Sequence, residues 1–290
     1  MKNCFLIVNY NDFKSTKHLI DNIKNYSCID EIVVVDNYSR EDQIELLTTM
    51  EEKKVTVLFN ENNLGYSGAI NVGSNYLIEK YGKCNIIVSN SDIVIMSEKD
   101  LEVMLDILNK KSVGLVGPQI LERGSILKGR KDVTIGHDIL SNSPLIKNFI
   151  NNQRLEYNES YYDDSTSFVE VISTCFFLIA SDTLKKINFM DENVFLYYED
   201  FILCNKVKSL GLDIILCNDI KVKHLYSVSV DKNYKNKGKK QMFRDSVVYY
   251  HSTYHEINFF QKLLLRIVLE LDILLSKKRW IWKRKWHCLL

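Results

Sequence analysis

Glu31-Ile32-Val33-Val34-Val35-Asp36-Asn37 is the stretch on which the fold turns. A β-branched run bounded by carboxylates reads as a short strand, and its neighbours on both sides repeat the pattern with helices in between. Phe5-Leu6-Ile7-Val8 is the strand before it, followed by a helix over residues 16–25. After it come a helix over 40–53, a third strand over 55–59, and a helix over 68–81 with Ala69, Val72, Tyr76 and Leu77 at helical spacing. A fourth strand, Asn85-Ile86-Ile87-Val88, ends at Asn90-Ser91-Asp92. Strands alternating with helices predict an α/β fold with a Rossmann-like, mostly parallel sheet flanked by helices on both faces.

In such a sheet ligands bind outside the carboxyl ends of the strands. Polar residues collect there: Asn9 and Asn11 after the first strand, Asp36 and Asn37 after the second, residues 60–63 after the third, and Asp92 after the fourth. Further on, residues 121–169 are polar and irregular, with Gly124, Gly129, Gly136 and an Asn-rich run at 148–152, and are expected to form a mobile substrate loop. Residues 168–179 read as two short strands or one bent one, 182–187 as a capped helix, and 201–210 as a helix closed by Gly211. Residues 213–217 and 220–224 are strands. Just before the 201–210 helix stands an acid pair on an aromatic approach, Phe195-Leu196-Tyr197-Tyr198-Glu199-Asp200.

The 38 basic and 37 acidic residues leave a net charge of +1, so the 290-residue chain has no global electrostatic reason to bind nucleic acid. Its seven cysteines are odd in number, scattered and free of C-x-x-C spacing, which fits a reducing compartment. The apolar run Cys4 to Val8 is too short for a signal-peptide core, and the expected location is cytoplasmic. The C-terminal stretch differs in character: from Gln261 to Leu290 eight basic residues face two acids, and Trp280, Trp282 and Trp286 are interleaved with them. Its apolar run, Leu263 to Leu275, is broken by Arg266, Glu270 and Asp272 and is too short to span a bilayer. Such an end suits either the face of an anionic membrane or packing against the catalytic domain or another subunit.

The ordered motifs Ile7-Val8-Asn9-Tyr10-Asn11, Val33 to Ser39, Asn63 to Gly73, Val88-Ser89-Asn90-Ser91-Asp92, Met190-Asp191-Glu192, Tyr198-Glu199-Asp200 and His224 resemble family 2 of the inverting glycosyltransferases over about residues 3–229. The nearest look is to the rhamnosyl- and galactofuranosyltransferase-like branch. The resemblance implies a GT-A catalytic domain over 1–229 and a C-terminal helical, basic and aromatic extension over 230–290. It also implies a nucleoside-diphosphate sugar donor, dTDP-rhamnose or a UDP-hexose, a glycan or lipid-linked oligosaccharide acceptor, and a place in bacterial surface polysaccharide synthesis.

Roles follow residue by residue from the same resemblance. Asn9 and Asn11 would line the base or ribose pocket, Asp36 would accept from the base imide, and Asn37 would belong to the same nucleotide site. Asn63, Gly65, Gly68 and Asn71 would lie on the loop and helix facing the nucleotide and sugar, where glycine permits close backbone approach. Asn90-Ser91-Asp92 stands in the place of a D-x-D metal motif, with Asp92 and His224 as ligands to Mn or Mg. Asp200 would be the general base with Glu199 beside it, while Asp191 and Glu192 support the loop or contact the acceptor. Arg244 would touch the diphosphate or a lipid-linked acceptor. A catalytically degenerate nucleotide-sugar-binding scaffold is the alternative, with Asn90 marking decay of the metal site. A dinucleotide oxidoreductase is set aside, because Asn9-Tyr10-Asn11-Asp12-Phe13 stands where a G-x-G-x-x-G turn is required.

Overall fold

The computed structural model describes residues 1–146, 155–225 and 236–287, except for the side chains of 236, 237 and 276–287. Its first half repeats strand and helix: β1 Lys2–Asn9, α1 Phe13–Ile23, β2 Glu31–Asp36, α2 Glu41–Thr48, β3 Val55–Phe59, α3 Gly65–Tyr81 and β4 Cys84–Asn90. There follow β5 Ile93–Ile95, α4 Glu98–Leu108, β6 Val113–Glu122, β7 Ser125–Leu127 and α5 Ile135–Asn142. After a 3-10 turn at Glu159–Tyr162 come β8 Thr166–Phe168, β9 Phe176–Ala180, α6 Ser181–Lys186, α7 Glu199–Ser209 and β10 Asp213–His224. Two helices, α8 Asn236–Tyr254 and α9 Phe259–His287, end the described chain.

One sheet carries the fold, in the order β3-β2-β1-β4-β9-β6-β10-β5, with β7 added to β6 and β8 to β10. The half built from β1 to β4 is wholly parallel. The other half is mixed: β9 enters antiparallel between β4 and β6, β10 runs parallel to β6, and β5 closes the edge antiparallel to β10. Strand residues alternate between two cores. Leu6, Val33, Val35, Val88 and Phe177 face the core shared with α3, α7 and α8, while Phe5, Ile7, Val34, Ile87 and Phe176 face the core under α1 and α4. Burial on both faces explains why β2 reads as an unbroken apolar run in the sequence.

Residues 121–169 depart from the irregular loop expected of them. β6 continues to Glu122 and turns into β7 through Arg123 and Gly124, whose φ of 48° and 79° give the two positive values that a tight hairpin turn needs. α5 is capped by Thr134, whose hydroxyl accepts from the His137 amide, and Val133, Asp138 and Tyr162 are buried. The expected Asn-rich run at 148–152 lies outside the described residues. The strands expected over 213–217 and 220–224 are one strand with a register shift between Cys217 and Lys221. Residues 168–179 resolve into the end of β8 and the start of β9.

The C-terminal helices are part of the packed body. Val247, Tyr250 and His251 of α8 are fully or almost fully buried, and α9 adds Leu265 and Leu269 to the same core. The expected domain boundary near 229 lies outside the described residues.

Glu31 shows how a polar group is built into this interior. It is 5% exposed and accepts hydrogen bonds from Lys80 (2.8 Å), Tyr81 (2.5 Å), Tyr76 (3.2 Å) and Thr56 (2.9 Å), joining β2 to β3 and α3. Burial alone would raise its pKa, but these bonds and the Lys80 charge outweigh it and hold the carboxyl below its usual value of 4.5. A depressed carboxyl stabilises the fold above its unfolded pKa and loses that contribution as the pH falls through the folded one. Glu31→Gln is therefore expected to cost about 2 kcal/mol at pH 7. In thermal unfolding the gap from wild type should shrink steadily below about pH 4.5.

Candidate active site

The carboxyl ends of β1, β2 and β4, the start of α3, the 195–201 segment and Phe243 of α8 surround a cavity of about 410 Å³. The strand-end polar residues divide into those that build its rim and those that face it. Asn9 and Asp36 are fully buried and bonded to each other, Asn9 Nδ2 donating to Asp36 Oδ1 at 2.7 Å. Ser39 donates to Asp36 through its amide (2.9 Å) and hydroxyl (2.5 Å), and Thr16 donates to Asn9 Oδ1 at 2.8 Å. Asn11, at φ 54°, donates its amide to Ser39 and accepts from the Arg40 amide, which ties the first loop to the second. These three residues thus form a strut behind the cavity wall.

Asn37 lies on the wall itself and clamps the next loop. Its Nδ2 donates to Asn63 Oδ1 (3.0 Å) and the Gly65 carbonyl (2.9 Å), while its Oδ1 accepts from Asn60 and from the Leu64 amide. Asn63 in turn accepts from the Gly65 amide at 3.0 Å. Gly65 opens α3 at φ +72°, and a Cβ there would stand 2.6 Å from the Phe195 carbonyl oxygen. Both conditions require glycine, and the Tyr66 amide completes the join by donating to the same carbonyl. Gly68 sits one turn inside, against the Leu64 side chain.

Asp92 lines the cavity and is 5% exposed. His224, at the end of β10, places Nε2 3.1 Å from Asp92 Oδ1 and Nδ1 3.1 Å from Glu122 Oε2. Burial favours the neutral imidazole, yet the two carboxylates outweigh it and raise the His224 pKa. One carboxylate oxygen donor beside one imidazole nitrogen, braced from behind by Glu122, fits a hard divalent cation that keeps diphosphate oxygens and water in its remaining positions. Among the described residues no cluster of three or more His, Cys, Asp or Glu surrounds a single point, so protein ligands alone do not complete a coordination shell.

Across the cavity the acid pair opens α7. Tyr197 and Tyr198 precede it at φ 74° and 67°, two successive left-handed residues that turn the chain sharply into the helix. The Tyr198 hydroxyl and His251 Nε2 both meet Asp138 Oδ2 at 2.6 Å, and Ser246 of α8 donates to the Leu196 carbonyl. Asp200 is ion-paired with Arg130, whose guanidinium also lies 4.8 Å from the Phe201 ring centre. Glu199 keeps Oε2 enclosed without a hydrogen-bond partner. Burial, and then the Asp200 charge, push its pKa up to about 8.

The remaining expected site residues lie elsewhere. Asn71 donates to the Met190 carbonyl and to Glu192, and accepts from the Met190 amide, so it fastens the 190–192 turn to α3. Asp191 accepts from Tyr249 and Tyr254 of α8. Asn71, Asp191 and Glu192 line a second cleft, of about 490 Å³, together with Lys206. Arg244 pairs with Asp245 and Glu270, joining α8 to α9, while its neighbour Phe243 faces the first cavity. Arg130, Glu122 and Tyr66 are cavity or bracing residues that sequence reading missed. Arg130 sits in a Lys-Gly-Arg-Lys run that carries no motif, and only its backbone pairing with Val171 brings it beside Asp200.

The profile of the family described as Glycosyl transferase family 2 matches residues 4–172, more than half of the chain. The chain belongs to that family. Among curated members, the "Low-salt glycan biosynthesis hexosyltransferase Agl10" of Haloferax volcanii is 25% identical over 219 residues, which cover 76% of this chain and 66% of the relative. The "dTDP-rhamnosyl transferase RfbF" of Shigella flexneri is 27% identical over 222 residues, covering 76% and 67%. The chain thus spans about two-thirds of the length of these glycosyltransferases. The solved mannosyltransferase PcManGT of Pyrobaculum calidifontis, in complex with GDP-Man and Mn2+, superposes with a TM-score of 0.58 at 11% identity, over 96% of this chain and 75% of that one. The fold is the GT-A fold of these glycosyltransferases.

The raised Glu199 carboxyl has a stability consequence. The native state holds a proton that the unfolded chain releases near pH 4.5, so folding stability falls as the pH rises from about 4.5 to about 8 and then levels off. Glu199→Gln removes that cost, and its midpoint of thermal unfolding should exceed wild type by several degrees at pH 8 and match it near pH 4.5. Gly65→Ala should cost about 2 kcal/mol or more in the same measurement, because strain and the carbonyl clash act together.

Proposed function

We propose that the chain is an inverting hexosyltransferase that moves a sugar from a nucleoside-diphosphate donor, dTDP-rhamnose or a UDP-hexose, to a hydroxyl of a glycan or lipid-linked oligosaccharide acceptor. The observation that carries this reading is that Asp92 and Asp200 line one cavity whose rim is the Asn37-Asn63-Gly65 clamp. In it Asn37, Asn63 and Gly65 shape the nucleotide side, with Asn9, Asn11 and Asp36 holding that rim in place. Asn90 flanks the diphosphate position, Asn71 and Glu192 set the 190–192 turn against α3, Asp191 ties that turn to α8, and Gly68 lies on α3 against Leu64.

Asp200 takes the proton of the acceptor hydroxyl as its oxygen attacks the anomeric carbon from the face opposite the diphosphate. Glu199, protonated at neutral pH, offers the donor sugar a hydrogen-bond donor that an ionised carboxylate lacks. Asp92 and His224 would hold Mn or Mg, which supplies charge neutralisation at the departing nucleoside diphosphate. The two curated relatives are described as a hexosyltransferase and a dTDP-rhamnosyl transferase, and the mannosyltransferase was solved with GDP-Man and Mn2+. These support the donor class and the metal. Asp200→Asn should lower transfer about 100-fold or more without weakening nucleotide binding, and Asp92→Ala should abolish the Mn-dependent part of that binding. A chain that turns over no donor, so that Asp200→Asn has no activity to remove, is instead the nucleotide-sugar-binding scaffold.

The acceptor reading places the protein at the cytoplasmic face of the cell membrane, in bacterial surface polysaccharide synthesis. α9 exposes Phe259, Phe260, Leu263, Leu264, Ile267 and Leu271, and the sequence beyond them is rich in Lys, Arg and Trp. An exposed apolar stripe leading into basic and indole side chains suits an anionic lipid surface. Among the described residues no helix is long and apolar enough to cross a membrane. Sedimentation with vesicles containing phosphatidylglycerol, but not with phosphatidylcholine alone, is the expected outcome. Leu263→Glu/Ile267→Glu should abolish it, and equal recovery with both vesicle types would refute an electrostatic contribution.

A further inference from the structure

The cavity must admit a diphosphate, yet among the described residues that line it Arg130 is the one side chain with a fixed positive charge, and that charge is already engaged by Asp200. The two groups stand on different parts of the chain. The Arg130 backbone is bound to Val171 in both directions at 2.9 Å, so its Cα is held while the long side chain keeps its rotamers. Asp200 uses Oδ1 to accept the Phe201 amide at 2.9 Å and turns Oδ2 to Arg130. The oxygen that would receive the acceptor proton is therefore covered by a guanidinium.

A guanidinium carries five N–H donors and binds phosphate oxygens in a two-pronged fork, which a single carboxylate oxygen does not match. An incoming diphosphate brings about two negative charges into a cavity lined by this one described cationic side chain. We propose that Arg130 is a donor-operated latch on the catalytic base. Without donor, Arg130 holds Asp200. When the nucleoside diphosphate enters, the guanidinium swings to its oxygens and Asp200 is left facing the acceptor hydroxyl. Phe201, whose ring lies under the guanidinium, is the surface along which it moves. Base and donor are thereby coupled: the carboxylate is released only when there is an anomeric carbon to attack. The inference rests on the donor reading given under Proposed function.

The test is a binding cycle that needs no turnover: dissociation constants for UDP and dTDP, each with Mn, measured by calorimetry on wild type, Arg130→Gln, Asp200→Asn and the double variant. Asp200→Asn deprives the latch of its competing anion and is expected to tighten diphosphate binding about five-fold or more, as a coupled pair of sites would. Arg130→Gln should weaken binding, and in that background Asp200→Asn should change nothing. Equal tightening by Asp200→Asn in both backgrounds would mean simple loss of a repelling charge, and no tightening in either would mean a fixed ion pair; each overturns the latch. Arg130→Lys provides a second background, where a point charge without the fork should reduce the tightening, and undiminished tightening counts against the proposal. Failure of wild type to bind either nucleotide would instead bring down the donor reading, and the latch with it.

Discussion

Two left-handed residues in a row, Tyr197 and Tyr198, are the constraint on which the site depends. For residues with a Cβ this conformation costs roughly 1–2 kcal/mol each, so it persists only where the surroundings over-determine it. Here they do: Tyr198 packs against Phe201, Phe243 and Tyr250, and its hydroxyl shares the Asp138 carboxylate with His251. Three distant segments, α5, α7 and α8, meet at that carboxylate. Release the turn and the first residues of α7, the acid pair, no longer open on the cavity.

The two carboxyl groups of that pair are adjacent in sequence and opposite in behaviour. Glu199 is enclosed and keeps its proton to about pH 8, while the Asp200 side chain is 19% exposed and carries a guanidinium partner. Environment thus separates neighbouring acids: one is an enclosed carboxyl without a partner and the other is held by a guanidinium. On the far side Asp92, His224 and Glu122 make the same economical use of position, since each lies at or beside the end of a strand.

Much of this was legible in the sequence where structure is local. The runs at β1 to β4 have buried faces on both sides, so their apolar character is unbroken and their ends are marked by polar residues; the α/β reading of residues 2–90 needed nothing more. The cavity-facing members of the predicted site, Asn37, Asn63, Gly65, Asn90, Asp92, Glu199 and Asp200, all sit at such ends or at helix starts. What stayed hidden was long-range. Asn9 and Asp36 look like ligand groups by position, yet their partners are each other, because the two are direct register partners at the ends of β1 and β2. Arg130 lies in a stretch whose polarity imitates a loop, and nothing short of the bridge to Val171 reveals where its side chain goes. Arg244, exposed on paper, is held by Glu270 through the packing of α9 on α8.

The placement of α8 carries a consequence for synthesis. The parallel half of the sheet, β1 to β4, is made of the first ninety or so residues and has its own helices to cover it. The acid pair follows at 199 and 200, but the side chains that fix its approach, Ser246 and His251, and the Phe243 wall come some fifty residues later. Because chains fold as they emerge from the ribosome, amino end first, the parallel half of the sheet is assembled well before the acid pair is aimed at the cavity. A nascent chain halted anywhere short of α8 therefore holds the parallel half of the sheet beside a cavity whose acid pair still lacks the Ser246, His251 and Phe243 contacts.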